Sequence, residues 1–405
     1  VTRSPKTYDA AIIGGGLSGI CAALTLGRMG VNTALLDRPI NNTGYGMGGF
    51  ARFSGAKFSL PPAGMGLLPI LGSYEDLSRT ITQVLKLLDL EHKTIQNSLD
   101  SNLPLLDKTL SDVVKVRNYD SIVLTPAEMA TLTTSLSEQV HACCSVSEGE
   151  CLGIVERKGR WEVAYRPISS SSSVSLAANV VFFAGGRTGS PLLLDAGCRE
   201  TGGKGIDLGV RVEFTDREDL RCLRALGPDA KLLSGKCRTF CLNVPGKIHH
   251  YEYESISIPG GIVADSSHEA ANVGILYRHP NKAMMLDSVL RNSKRFLTAG
   301  RSAHLTTEGF LGQSRELTSQ ILGTEVTNAL CSFSLELQDL GFVDWSKPHY
   351  VHLPLLDWHW DTFSLPSTFR STVDGLYVLG DSSGHARGLL QAAASGYIAA
   401  REFMQ

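Results

Sequence analysis

An α/β fold is predicted by three stretches of this 405-residue chain. The first runs from Tyr8 to Asp37. An apolar strand ends at Ile13, and Gly14, Gly16 and Gly19 follow at G-x-G-x-x-G spacing. A helix is expected from Leu17 to Met29, then a second apolar strand that ends in Asp37. The second stretch, Asn179 to Gly186, reads as a buried strand entering a tight turn at Ala184, Gly185 and Gly186. The third lies near the C-terminus: a strand from Gly375 to Gly380, a turn from Asp381 to Arg387, and an alanine-rich helix from Gly388 to Phe403.

Each glycine of the first stretch has a physical reason. Gly14 permits a tight turn, Gly16 leaves the backbone open to a diphosphate, and Gly19 lets helix and strand pack closely. The first helical amides and the helix dipole stabilise negative charge there. Asp37 stands 18 positions after Gly19, where a carboxylate accepts bonds from ribose hydroxyls and disfavours a 2′-phosphate. The three segments together predict a Rossmann-like domain that binds a dinucleotide.

Between these segments the pattern changes. Tyr74 to Leu90 has helical spacing, with Leu77, Ile81, Val84, Leu85 and Leu88 on one side. A second helix is expected from Pro126 to Val140, with Thr125 as its N-cap. Strand-like runs follow at Cys151 to Glu156, Arg160 to Arg166 and Val174 to Leu176, and Ser169 to Ser173 reads as an exposed hairpin tip. The expected organisation is a discontinuous dinucleotide domain at 1–209, with an insertion at 58–118, completed by 366–405. A mixed α/β substrate domain fills 210–365.

Composition narrows the function. The formal charge is −2, which gives no sign of nucleic-acid or acidic-membrane partners. No apolar run reaches membrane-spanning length, and Val1 to Thr7 lack the apolar core of a secretory signal, so a cytoplasmic location is expected. The nine cysteines form no C-x-x-C motif and are expected to be mostly buried in a reducing compartment, with Cys237 and Cys241 as a redox alternative. No metal site is expected, because no H-x-x-x-H occurs.

The pairing of the N-terminal fingerprint with Leu379-Gly380-Asp381 resembles the two-dinucleotide-fold, glutathione-reductase-like FAD flavoproteins. More narrowly, the chain resembles the FAD-dependent dehydrogenases once called NAD(FAD)-utilising dehydrogenases. The segments that carry this likeness are Gly48 to Lys57, Ile206 to Glu213, Cys237 to Cys241 and Arg387 to Gly396. The sequence departs from the family where Gly55-Ala56 replaces Asp-Gly. It departs again where His249, His250, Tyr251 and Tyr253 replace a glycine-rich run, which points to a different substrate.

The resemblance implies non-covalent FAD and an oxidoreductase that moves hydride between flavin N5 and a small organic molecule. The residues expected to hold FAD are Gly14, Gly16, Leu17, Ser18 and Gly19; Asp37 and Arg38; Arg52, Phe53 and Ser54; Ala184, Gly185 and Gly186; and Gly380, Asp381, Gly388, Leu389 and Leu390. Lys57, His385 and Arg387 are the expected catalytic groups. Lys57 is placed to bond flavin N5 or O4, His385 to exchange a proton, and Arg387 to hold a carboxylate or the flavin pyrimidine. His250, Tyr251, Tyr253 and Arg278 are candidate substrate contacts, and Tyr251 and Tyr253 share one strand face.

No second G-x-G-x-x-G follows a strand, so hydride comes from the substrate or from an NAD(P)H that docks transiently. Two alternatives stay open. One is a flavin monooxygenase of secondary metabolism; the other is a non-enzymatic, redox-sensing flavoprotein. Oligomeric state is not legible.

Overall fold

A computed structural model describes residues 6–38, 47–96, 114–297 and 303–405. Part of the insertion expected at 58–118, residues 97–113, lies outside the described residues, as do residues 39–46.

The first sheet is built on four parallel strands. Thr33–Asp37, Lys6–Ile13, Val174–Phe183 and Leu376–Val378 are successive neighbours. Ser145–Arg157 adds to Thr33–Asp37 in parallel through its first four residues. It then turns into an antiparallel meander with Arg160–Pro167 and Val174–Phe183. The serine run Ser169 to Ser173 is the exposed tip of that meander, as expected.

Both faces of the parallel part are covered, as such sheets require. Along Lys6–Ile13, Ala10 and Ile12 pack on one side with the helices, while Ala11 and Ile13 pack on the other with Trp161 and Val163 of the meander. The helical layer contains Leu17–Arg28 and Leu389–Phe403, which cross closely. Small residues make this crossing possible: Ala22, Ala23, Ala393 and Ala394 are fully buried. A Cβ on Gly396 would stand 1.9 Å from the Ser18 carbonyl oxygen.

The helix expected at Pro126 runs to Cys143 and begins with a capping box. Thr125 Oγ1 accepts from the Glu128 amide, and the Glu128 carboxylate accepts from the Thr125 amide and from Lys93 Nζ. The Lys93 contact and the Thr125 amide hold Glu128 at a pKa of about 2. Thr125→Ala is expected to cost about 1 kcal/mol, read as a lower urea midpoint at unchanged slope.

A second, seven-stranded antiparallel sheet runs in the order Ala303–Thr306, His349–Asp357, Ile206–Phe214, Ala271–His279, Cys237–Asn243, Lys231–Ser234, Lys115–Arg117. Ile206–Phe214 runs across residue 210, and Lys115–Arg117 joins from the N-terminal third of the chain. In Ile206–Phe214 the even positions Ile206, Leu208, Val210, Val212 and Phe214 belong to the core shared with Val326, Leu330 and Phe333 of the helix Thr324–Asp339. The odd positions Asp207 and Arg211 turn to the opposite face and line a cavity. A separate hairpin, Gly246–Tyr253 with Ile256–Val263, reaches back to the first sheet's loops, where the Val263 amide donates to the Ser54 carbonyl at 3.0 Å.

Candidate functional site

The cradle forms where three strands of the first sheet end. The Gly14 amide donates to Leu36 O, and the Ala184 amide to Ile13 O at 2.7 Å, so the turns at Gly14 and Ala184 lie side by side. Gly14 has φ +103°, and a Cβ there would meet the Ala184 carbonyl oxygen at 2.3 Å. A Cβ on Gly19 would stand 1.9 Å from the Gly14 carbonyl oxygen. Gly16 is different: no protein atom lies within 4 Å of its Cβ position. This glycine opens the helix Leu17–Arg28 with no side-chain cap, so helical amides face open space.

Asp37 borders that space. Its Oδ1 accepts from the Gly15 amide at 2.7 Å. Burial pushes its carboxyl above the usual carboxylate range, only partly offset by the Gly15 and Arg38 amides. Arg38 reaches outward to Glu150 at 3.2 Å. Gly48 and Gly49 close the cradle from the other side: the Gly48 amide donates to Gly15 O at 2.8 Å, and a Cβ on Gly49 would lie 3.0 Å from Gly16 Cα.

The cradle continues into a cavity of about 1320 Å³ that extends to the polar face of the second sheet. That exceeds the roughly 300–1,000 Å³ of a single small-ligand site. The residues fit FAD: a run of backbone amides with no Cβ in front of it, a ribose-side carboxylate, and room for a long cofactor with a second molecule. Gly16, Leu17 and Ser18 would hold the diphosphate, Asp37 the ribose, and the turn at Gly380 with the helix start at Leu389 and Leu390 the flavin end.

The structure places the other expected residues unevenly. Asp381 sits beside the cavity, but its carboxylate is held by Arg187 Nε at 2.8 Å. Arg187 was not anticipated, though it directly follows the Gly185-Gly186 turn. It lies 4.4 Å over the Trp360 ring and reaches Tyr251 Oη at 3.5 Å. Burial alone would lower its pKa; Asp381 and Tyr251 outweigh that and keep it charged. Arg52 turns away, donating to Thr134 Oγ1 at 3.1 Å on the neighbouring helix. Phe53 stacks on His249 at 4.5 Å, and Ser54 Oγ donates to Ala51 O.

Lys57 lines the cavity with its ammonium donating to the Leu242 carbonyl. Burial lowers its pKa, partly offset by Cys241 and Asp229. His385 donates from Nδ1 to the Gly66 carbonyl at 2.9 Å, so this ring is fixed by backbone. Arg387 is held by Asp357 at 2.8 Å. Tyr251 and Tyr253 do share a face, with ring centroids 6.3 and 4.5 Å from His359. His250 lies on the opposite side, 5.7 Å from His352. Arg278 forks onto Asp207 through Nε and Nη2.

Asp207 and Asp357 themselves were not anticipated, yet they organise the cavity floor. Both are essentially buried, at 0% and 1% exposure, and they are cross-strand partners. Asp207 holds Arg238 and Arg278, and Asp357 holds Arg238 and Arg387.

One cysteine expectation is corrected. Only Cys21, Cys198 and Cys237 are buried. Cys237 and Cys241 are both free and both border the cavity: Cys237 donates to Ala329 O, while Cys241 sits at φ +46° beside a strand irregularity. No described helix is long and apolar enough to cross a membrane.

A family-model match falls on the cradle segment. The family model described as glucose inhibited division protein A matches residues 9–49, the fingerprint segment. No curated protein matches the chain. Among solved structures, a flavoprotein/dehydrogenase from Cytophaga hutchinsonii is 13% identical, with 98% of this chain and 79% of that one covered and a TM-score of 0.47. A geranylgeranyl bacteriochlorophyll reductase-like protein from Thermoplasma acidophilum is 16% identical, covering 98% and 77%, with a TM-score of 0.46. CmlS, a flavin-dependent halogenase, is 16% identical at a TM-score of 0.46; this chain is covered to 98% but spans only 56% of that protein. At these scores their reactions do not transfer.

Proposed function

We propose that the chain is an FAD-dependent oxidoreductase acting on a small organic molecule held between the cradle and the second sheet. The observation that carries this reading is the continuity of the Gly16 cradle with the cavity floor at Asp207 and Asp357. FAD, when bound, supplies hydride transfer at N5. On this reading the first sheet is the dinucleotide-binding domain of a glutathione-reductase-like flavoprotein, and the segment near 210–365 serves as the substrate domain.

The protein's own residues bind, orient and exclude water. Arg187 ties the Gly186 turn, Asp381 and the hairpin tyrosine Tyr251 into one wall. Lys57 places a cation at the cavity, with Cys241 and Asp229 acting on it from nearby, and that ammonium can hold or release a proton. His385, locked to Gly66 O through Nδ1, positions the turn that precedes Leu389.

Purified protein is expected to be yellow with a flavin spectrum. Anaerobic addition of NADH, NADPH, amines, alcohols and enones, each separately, identifies the reductant. Protein that emerges colourless and does not take up added FAD defeats the proposal. Lys57→Ala is expected to keep its flavin and slow anaerobic reduction by about tenfold or more. Unchanged stopped-flow traces would leave Lys57 a structural role only.

A further inference from the structure

The overall charge is −2, yet the substrate end of the cavity is basic. Eleven lysines and arginines line the cavity against seven aspartates and glutamates. The excess is concentrated at the cavity floor. Three guanidinium groups, on Arg238, Arg278 and Arg387, share two carboxylates, Asp207 and Asp357. Arg211, at 1% exposure, adds a fourth cation whose hydrogen bonds run to neutral oxygens, Cys241 O at 3.1 Å and Asn272 Oδ1 at 2.8 Å. Nε of Arg211 and Nε of Arg387 are buried without a protein partner.

Buried cations without matching counter-charge are costly, and a bound anion removes that cost. The geometry also gives the anion a shape. Arg211, Arg238 and Arg387 surround the Phe240 ring at 5.8, 4.8 and 5.8 Å. Phe240 and Leu355 both line the cavity, so an apolar wall stands beside the forked donors. Such forks match planar oxyanions, and the wall accepts a hydrocarbon body.

We propose that this floor is a subsite for an organic carboxylate with an apolar or aromatic body, anchored by Arg387 and Arg238 over Phe240. The inference deepens the proposed oxidoreductase site and names the class of its substrate: an organic acid, with the carboxylate on the second sheet and the oxidisable carbon toward the cradle.

The test uses the full chain as purified and benzoate as the probe. Binding is read by calorimetry and, independently, by perturbation of the flavin absorbance. Saturable binding at or below about 1 mM is expected. Arg387→Lys, which keeps a cation beside Asp357 but loses the fork, is expected to weaken benzoate about tenfold with flavin content unchanged; Arg238→Lys should do likewise. Benzyl alcohol, the neutral counterpart, should bind far more weakly. The proposal is overturned if benzoate does not saturate, if benzyl alcohol binds as well, if both lysine variants bind like the parent, or if inorganic phosphate outcompetes benzoate. Colourless protein that still binds benzoate by calorimetry would defeat the flavin reading while upholding this one.

Discussion

Gly16→Val is expected to yield folded protein without flavin. The reason is an asymmetry among the fingerprint glycines. No protein atom lies within 4 Å of the Gly16 Cβ position, and its φ of −70° with ψ 176° is extended backbone that valine adopts readily. Valine at this position therefore branches into open space. It fills the space in front of the helix Leu17–Arg28, where a diphosphate must meet the amides. Flavin affinity should fall by at least about a hundredfold, or ~3 kcal/mol, enough to lose the cofactor on gel filtration. Thermal stability should match that of parent protein stripped of flavin. A variant that retains full yellow colour would show that no diphosphate lies at Gly16.

Gly19→Val supplies the contrast. Its Cβ would sit 1.9 Å from the Gly14 carbonyl oxygen and 3.3 Å from Ala184 Cβ. Backbone cannot yield there without moving the helix off the sheet. This variant should therefore fail as a fold, whereas Gly16→Val fails only as a cofactor site.

This difference marks what the residues alone could convey. The G-x-G-x-x-G spacing, the strand endings at Ile13 and Asp37, and the turns at Ala184 and Gly380 were legible because each depends on local chemistry: turn geometry, apolar runs and helix starts. Thr125 was legible in the same way, as an N-cap directly before Pro126, and the structure adds Glu128 as the other half of a capping box. The cavity floor was not. Ile206-Asp-Leu-Gly-Val-Arg-Val-Glu alternates, and alternation says only that a strand has two unlike faces. It cannot say that the polar face looks into a cavity, so Asp207 and Arg211 pass for surface residues. Their partners come from positions 238 and 278 for Asp207 and 241 and 272 for Arg211, separations that only the folded sheet closes. His385 shows the converse limit. A histidine on a turn beside Asp381 has the right chemistry for proton transfer, yet the Gly66 carbonyl, from a loop more than three hundred residues earlier, fixes its ring.

Asp207→Ala is expected to be the most destabilising single change at the cavity floor. Asp207 is fully buried and holds both Arg238 and Arg278. Truncation leaves Arg278 with only the Lys204 carbonyl at 2.9 Å, and Arg238 with only Asp357 among carboxylates. Removing one partner of a buried ionic cluster costs about 3–5 kcal/mol, because the surviving charge stays desolvated. The change should appear as a lower urea midpoint, and adding Arg278→Met to Asp207→Ala should recover part of the loss. A loss below about 1 kcal/mol would mean that water reaches these guanidinium groups and that the floor is not a dry cluster. Acid titration gives an independent reading through Asp357. Burial alone would raise its pKa, but Arg387, Arg238 and Arg187 together hold it well below its ordinary 3.8. A depressed folded-state pKa means its contribution is complete above 3.8 and is lost as pH falls through the lower folded value. Replacing such a cluster with well-packed apolar residues is often neutral or stabilising. Stability therefore does not explain why the floor keeps three arginines around one phenylalanine ring, whereas an anionic ligand does.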